Sequence, residues 1–147
     1  MMPGRAGPGG EGLVAINVVV GAAIISGGRL LTAQRAEPPE LAGGWEFPGG
    51  KVDPGESDQD ALVRECHEEL GVKIALGARI GGDWPLSLGG VLRVWIAGIV
   101  EGEAKALEHL ALRWLGPDEL YDVDWLAGDL PVVEAVRPYV PGGAPGG

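Results

Sequence analysis

Three carboxylates, Glu65, Glu68 and Glu69, stand at i, i+3 and i+4 within the run Gly50 to Val72, GKVDPGESDQDALVRECHEELGV. On a helix they share one face, and such like-charge pairs, left unneutralised, oppose the helix by about 0.2–0.5 kcal/mol each. A divalent cation turns that cost into a binding site, because Mg²⁺ takes carboxylate oxygens and completes its shell with substrate phosphates. The bland alternative is a solvated acidic face, which the i,i+4 pairs Arg64–Glu68 and Glu69–Lys73 would suit. The frame around the triplet favours the metal. Gly49-Gly50 precedes it on a tight loop, Glu56 lies between loop and helix, and Gly71 ends the run.

A carboxylate triplet needs an element to hold it. Ser57 offers an N-cap with Asp60 three residues on, close to a capping box, although Asp is a weaker third-position partner than Glu. The spacing predicts a helix from about Asp58 to Leu70, with Gly71 suited to the left-handed position that ends it. On that helix Leu62, Val63, Cys66 and Leu70 fall on one flank and face the core, while the glutamates fall on an adjacent flank, off the core side. Leu13 to Ile25 and Arg29 to Arg35, joined by Ser26-Gly27-Gly28, read as a hairpin. Trp45-Glu46-Phe47 is a short extended piece stopped by Pro48-Gly49-Gly50. Val72 to Ala78, Val91 to Val100 and Leu112 to Leu115 read as strands, and Pro117 to Leu120 as a helical turn. Pro131 to Tyr139 reads as a closing helix with proline in its first turn. Strands on both sides of a central helix, with a further helix at the end, indicate an α/β layered domain.

A chain of 147 residues suits one domain. Residues 1–12 contain seven Gly or Pro and residues 141–147 contain six, so both ends read as flexible tails around a folded unit at 13–140. The net charge of −10 argues against a basic footprint for duplex nucleic acid, yet it leaves a nucleotide substrate open, since bound Mg²⁺ reverses the local field where acids cluster. One cysteine, Cys66, excludes an internal disulfide and a thiolate zinc cage, and His67 and His109 are too few for a zincin-type site. The longest apolar stretch, Val14 to Ile25, is interrupted by Asn17 and is too short to span a bilayer. With no leader pattern at the start, a cytoplasmic protein without a membrane partner is expected.

The run from Gly50 to Val72 resembles the Nudix box, G-x5-E-x7-R-E-U-x-E-E-x-G-U with U apolar. It matches at every defined position: Gly50, Glu56, Arg64, Glu65, Cys66, Glu68, Glu69, Gly71 and Val72. By chance such a match arises on the order of once in a million chains of this length. Cys66 fills an apolar position, where it behaves as a small hydrophobe. The resemblance implies the Nudix α/β/α sandwich, a mixed β-sheet between helices. It also implies hydrolysis of a nucleoside diphosphate linked to a further group, on Mg²⁺ with Mn²⁺ able to substitute. Carried over to these positions, Glu65, Glu68, Glu69 and the backbone carbonyl of Gly49 are metal ligands, Arg64 orients the box glutamates, and Glu56 supports the metal shell.

Trp45 to Lys51, WEFPGGK, is similar to the segment leading into the box of MutT-type triphosphate pyrophosphohydrolases, and the resemblance implies that Glu46 and Phe47 bind substrate. Arg35 matches a substrate-contacting arginine of that type. Glu101 to Trp114 aligns with the stretch holding one more metal-binding glutamate, which falls on Glu108, and beside it His109 reads as loop structure. The base-reading position falls on Asp129, which either meets an amino group of the base or caps the helix before Pro131. The Tyr121 to Trp125 run also resembles the CTP-preferring branch. The expectation is therefore a nucleoside triphosphate pyrophosphohydrolase, monomer or homodimer, that acts on 8-oxo-dGTP or on (d)CTP and modified cytosine nucleotides in nucleotide-pool sanitation. The alternatives are an ADP-sugar or dinucleoside polyphosphate hydrolase, or a non-catalytic nucleotide-binding module. The first loses ground because Leu88 stands where those groups carry Pro or Tyr; the second does because the box is intact.

Overall fold

The computed structural model describes residues 17–87 and 89–142. Leu88, the start of the expected opening strand, and the expected tails apart from Pro141 and Gly142 lie outside these residues. Val18–Ser26 (β1) is a Val- and Ile-rich strand whose alternate side chains serve two different cores. Val20, Ala22 and Ile24 face one side and Ala23 the other, as the period of two in a strand requires. The expected hairpin forms with Arg29–Gln34 (β2), followed by Trp45–Glu46 (β3) and Gly49–Lys51 (β4). After a helix come Lys73–Pro85 (β5), Val91–Glu101 (β6) and Ala111–Leu115 (β7).

The sheet runs β3-β2-β1-β6-β5, with β4 also on β1 and β7 on β2. β1 is parallel to β6 and antiparallel to β2 and β4. β2 and β4 share one edge of β1 but meet it at opposite ends, through Ile25–Ser26 and Val19–Gly21 respectively. The Trp45–Lys51 segment is therefore led across that edge, where the Ala22 amide donates to the Pro48 carbonyl at 2.8 Å. This split edge is the place where a site can form.

The box helix (α1) spans Asp58–Leu70, as its capping residues predict. The Ser57 side chain accepts from the Asp60 amide at 3.0 Å, and Gly71 takes the left-handed conformation at φ 73°. Ala61, Leu62, Cys66 and Leu70 are fully buried against Val20, Ala22, Ile24 and Leu31. Burial pushes the Cys66 thiol far above its ordinary pKa, so it stays an uncharged apolar group. On the opposite face of the sheet lies the helix Leu130–Val136 (α2), whose Val132, Val133 and Val136 pack with Leu30, Val94 and Trp125. The layers are thus helix, mixed sheet, helix, the expected α/β sandwich.

The elements depart from expectation at five points. Gly49-Gly50, expected on a tight loop, instead opens β4 and pairs with β1. β5 runs seven residues past Ala78, because register shifts at Leu76/Arg79 and Ile80/Trp84 absorb the Gly81-Gly82-Asp83 stretch as bulges. Pro117 to Leu120 is a turn rather than a helical one, with the Glu119 amide on the Gly116 carbonyl at 3.0 Å. The closing helix tightens to a 3₁₀ turn at Arg137–Tyr139, where Pro138 has no N–H to continue the α-helical ladder. Finally, the three glutamates do not all lie off the core side: Glu69 is buried, 7% exposed, one of two buried polar residues among those described. β4 lies across its flank of the helix, and the periodicity of α1 alone could not reveal that.

Candidate active site

Two adjacent glycines let β4 lie against the carboxylate face of α1. A Cβ on Gly50 would stand 2.4 Å from the Glu65 Oε2, and one on Gly49 would meet the Val20 carbonyl oxygen at 1.9 Å. Gly49 also holds φ at 154°, a conformation L side chains rarely adopt. With no side chain in the way, the Gly49 amide donates to Glu69 Oε1 at 3.3 Å.

Arg64 fastens the preceding loop to the helix. Its Nε and Nη2 donate to the two oxygens of Glu56 at 2.7 and 3.0 Å, its Nη2 also to the Lys51 carbonyl at 3.3 Å, and its Nη1 to Glu68 at 3.3 Å. The same Nη1 lies 3.4 Å from Glu65 Oε2. The hydrogen bond from Arg64, helped by the Asp53 amide, holds the Glu56 carboxyl below its ordinary range. Glu56 is thus a partner of Arg64 and does not line the cavity described next.

Burial first, and then their mutual interaction, shape both Glu65 and Glu69. Glu65 is raised above the usual carboxylate range chiefly by desolvation, and Glu69 is pushed up to about 9 by desolvation first and the Glu65 charge second. Two close carboxylates in a dry setting share a proton because they cannot both ionise cheaply. A divalent cation meets the same electrostatic demand, so the donor set fits one. Among the described residues no three His, Cys, Asp or Glu side chains are gathered into a ready-made cage. Glu68 is half exposed and paired with Arg64, and Glu108 is exposed on the cavity wall.

The cavity in front of this pair has a volume of about 610 Å³. It is lined by Glu65 and Glu69 of α1, by Gly49, Gly50 and Lys51 of β4, and by Arg35, Glu37, Glu46, Glu108 and His109. Arg35 and Lys51 are its cations, and acids predominate. Arg35 donates to Glu46 Oε1 at 2.9 Å, and His109 Nε2 lies 3.0 Å from Glu46 Oε2. Of the residues expected to form the site, Arg35, Glu46, Gly49, Glu65, Glu69 and Glu108 converge on this cavity. Lys51, Glu37 and His109 also line it but were not expected there; His109 had read as a loop residue, and only its adjacency to Glu108 hinted otherwise.

Phe47 and Asp129 sit elsewhere. The Phe47 ring is buried and packs at a tilt of 37° against Trp125, with centroids 5.0 Å apart. Asp129 precedes α2 at the N-cap position, yet its side chain does not cap that helix. Its Oδ2 accepts from the Phe47 amide at 2.9 Å, pinning the segment before the box to the α2 layer. Burial pushes its carboxyl up to about 7 against that hydrogen bond. The folded chain therefore keeps a proton there that the unfolded chain releases above about 3.8, and stability falls as pH rises from about 3.8 through about 7. Asp129→Asn keeps an acceptor for Phe47 and removes the titration. Relative to wild type it should gain about 1–2 kcal/mol above pH 7 and nothing below pH 4 in urea unfolding. An equal loss at both pH values would contradict this assignment.

The sequence model of the NUDIX domain matches residues 15–136. A Mycobacterium tuberculosis protein provisionally named 8-oxo-dGTP diphosphatase 2 is 47% identical over 115 residues, covering 76% of this chain and 82% of its own. The CTP pyrophosphohydrolase of Escherichia coli K12 is 40% identical over 119 residues, covering 80% and 88%. Among solved structures, the solution structure of the E. coli ORF135 protein superposes with a TM-score of 0.73 at 36% identity, covering 90% of this chain and 94% of that one.

Proposed function

Because the chain belongs to the Nudix family of hydrolases, we propose that it is a Mg²⁺-dependent nucleoside triphosphate pyrophosphohydrolase, converting (d)NTP and water to (d)NMP and diphosphate. The substrates are 8-oxo-dGTP or (d)CTP and modified cytosine nucleotides, and the setting is nucleotide-pool sanitation in the cytoplasm by a single domain spanning about 13–140. The observation that carries this reading is the Glu65–Glu69 pair, short of positive charge, at the wall of a cavity sized for a nucleotide.

Glu65, Glu69, Glu68, Glu108 and the Gly49 carbonyl would hold the metal. When bound, Mg²⁺ (or Mn²⁺) supplies neutralisation of the non-bridging phosphate oxygens and acidifies a water molecule. The residues of the chain do the rest. Arg64 holds the loop and the glutamate face in register through Glu56, Lys51 and Glu68. A glutamate of this face, kept ionised by the metal's charge, would accept the proton of the attacking water. Lys51 and Arg35 bring positive charge to the polyphosphate. Glu46 offers carboxylate oxygens to a base edge bearing N–H donors, such as the cytosine amino group or the guanine amide edge. Phe47 and Asp129 support that base from behind the wall, through the strand segment they anchor.

The test is a panel of nucleoside triphosphates, with 8-oxo-dGTP, dCTP, 5-methyl-dCTP and ADP-ribose included, ranked by kcat/KM with Mg²⁺ and with EDTA. We expect diphosphate release that requires the metal and is fastest for 8-oxo-dGTP or a cytosine nucleotide. If ADP-ribose outranks both, the substrate class is wrong; tight binding without turnover would make the chain a binding module.

A further inference from the structure

We propose that His109 is a positioning residue that holds Glu46 in the orientation from which it selects the base. The inference rests on the reading of Glu46 as the base-facing acceptor. The His109 side chain is 6% exposed and forms part of the cavity wall. Its Nε2 lies 3.0 Å from Glu46 Oε2 and 4.0 Å from Glu69 Oε1. Only the first is a hydrogen-bond distance. A carboxylate only accepts, so this contact places the imidazole hydrogen on Nε2.

Glu46 is thereby gripped at both oxygens, by Arg35 from the end of β2 and by His109 from the loop before β7. Turning the carboxylate breaks both bonds at once, while each oxygen retains a lone pair for a ligand. The loop is itself fixed. The Lys105 and Leu107 amides donate to the Leu70 and Glu69 carbonyls at 3.0 and 3.1 Å, and the Leu110 amide to the Gln34 carbonyl at 2.8 Å. The same nitrogen thus lies near both Glu46 and Glu69, and hydrogen-bonds to Glu46 alone.

The other ring nitrogen, Nδ1, is buried and, among the described residues, has no hydrogen-bond partner. The Glu46 contact is thus the side-chain hydrogen bond that orients the ring.

The experiment compares His109→Gln with His109→Asn, two amides that differ in reach. Selectivity is the kcat/KM of the favoured triphosphate over that of dTTP, whose ring carries a carbonyl where cytosine has its amino group. Gln can still donate to Glu46 and should keep selectivity within about threefold, whereas Asn falls short and should lose about tenfold, carried mainly by KM. Glu46→Gln should lose selectivity as well, and adding His109→Asn to it should cost little more, since the two act through one contact. The ¹⁵N imidazole spectrum of the full-length, metal-free chain has two histidines to assign, His67 and His109. His109 should carry its hydrogen on Nε2. If Gln and Asn behave alike, or the hydrogen is on Nδ1, the role of His109 is overturned while that of Glu46 stands. If Glu46→Gln leaves selectivity unchanged, the reading of Glu46 fails and takes the proposal with it.

Discussion

Glu69→Gln should lower kcat by about 10³-fold while making the metal-free protein more stable at alkaline pH. The first effect follows if this carboxylate serves the metal and the attacking water, since an amide neither carries charge nor accepts a proton at that position. The second follows from the shifted titration. Burial and the neighbouring Glu65 push the Glu69 carboxyl from about 4.5 to about 9. Between those values the folded chain binds a proton that the unfolded chain has released, so unfolding becomes easier as pH rises through the window. Glutamine removes that term and still offers an oxygen to the Gly49 amide. The stability of the variant in EDTA should therefore match wild type near pH 4.5 and exceed it increasingly toward pH 9, while Mg²⁺ stabilises the wild type more than the variant. Urea melts at both pH values, together with diphosphate release, decide the matter. A variant that is equally destabilised at both ends and still turns over would make Glu69 a packing residue.

The second large effect separates two neighbouring glycines. Gly49→Ala should cost about 3–5 kcal/mol, because the new Cβ collides with backbone and the φ value is strained for any L residue. The Val20 oxygen would be 1.9 Å away and the Gly21 Cα 2.9 Å, and neither can move without breaking the β1–β4 pairing. Gly50→Ala meets only the flexible end of Glu65, at 2.4 Å. That side chain can rotate away, so the fold should hold within about 1 kcal/mol while activity falls by about 10- to 100-fold. Thermal unfolding and kcat measured on both variants test the contrast. Full activity in Gly50→Ala would mean that the position of Glu65 is irrelevant to the reaction.

Much of this arrangement is legible in the chain itself, and the reason is locality. Ser57, Asp60 and Gly71 bound α1 because capping is decided within one helical turn, and the observed limits Asp58–Leu70 agree. The box residues are likewise local: Arg64 reaches Glu56, Glu65 and Glu68, all within eight positions of it. Strand ends were harder. The strand expected to end at Ala78 runs on to Pro85, because pairing with β6 carries β5 across Gly81-Gly82-Asp83 as bulges and cross-strand partners outweigh local preference.

The sequence by itself determined the family, the reaction class and the helix that bears the carboxylates, because spacing along one helix fixes which groups share a face. It could not say which of those groups would be dry. Glu68 and Glu69 are adjacent in the chain, yet one is half exposed on Arg64 and the other is buried under β4. That difference, and with it the raised proton affinity of the Glu65–Glu69 pair, depends on how β4 lies across the helix. Around the rest of the cavity Arg35, Glu46 and Glu108 were legible, but the contacts that hold the segments there were not. His109 meets Glu46 across 63 positions and Asp129 meets the Phe47 amide across 82. Such contacts are set by sheet register and loop anchoring, which no short-range pattern encodes. Tertiary structure alone therefore decided how the Glu46 and His109 side of the cavity is held together.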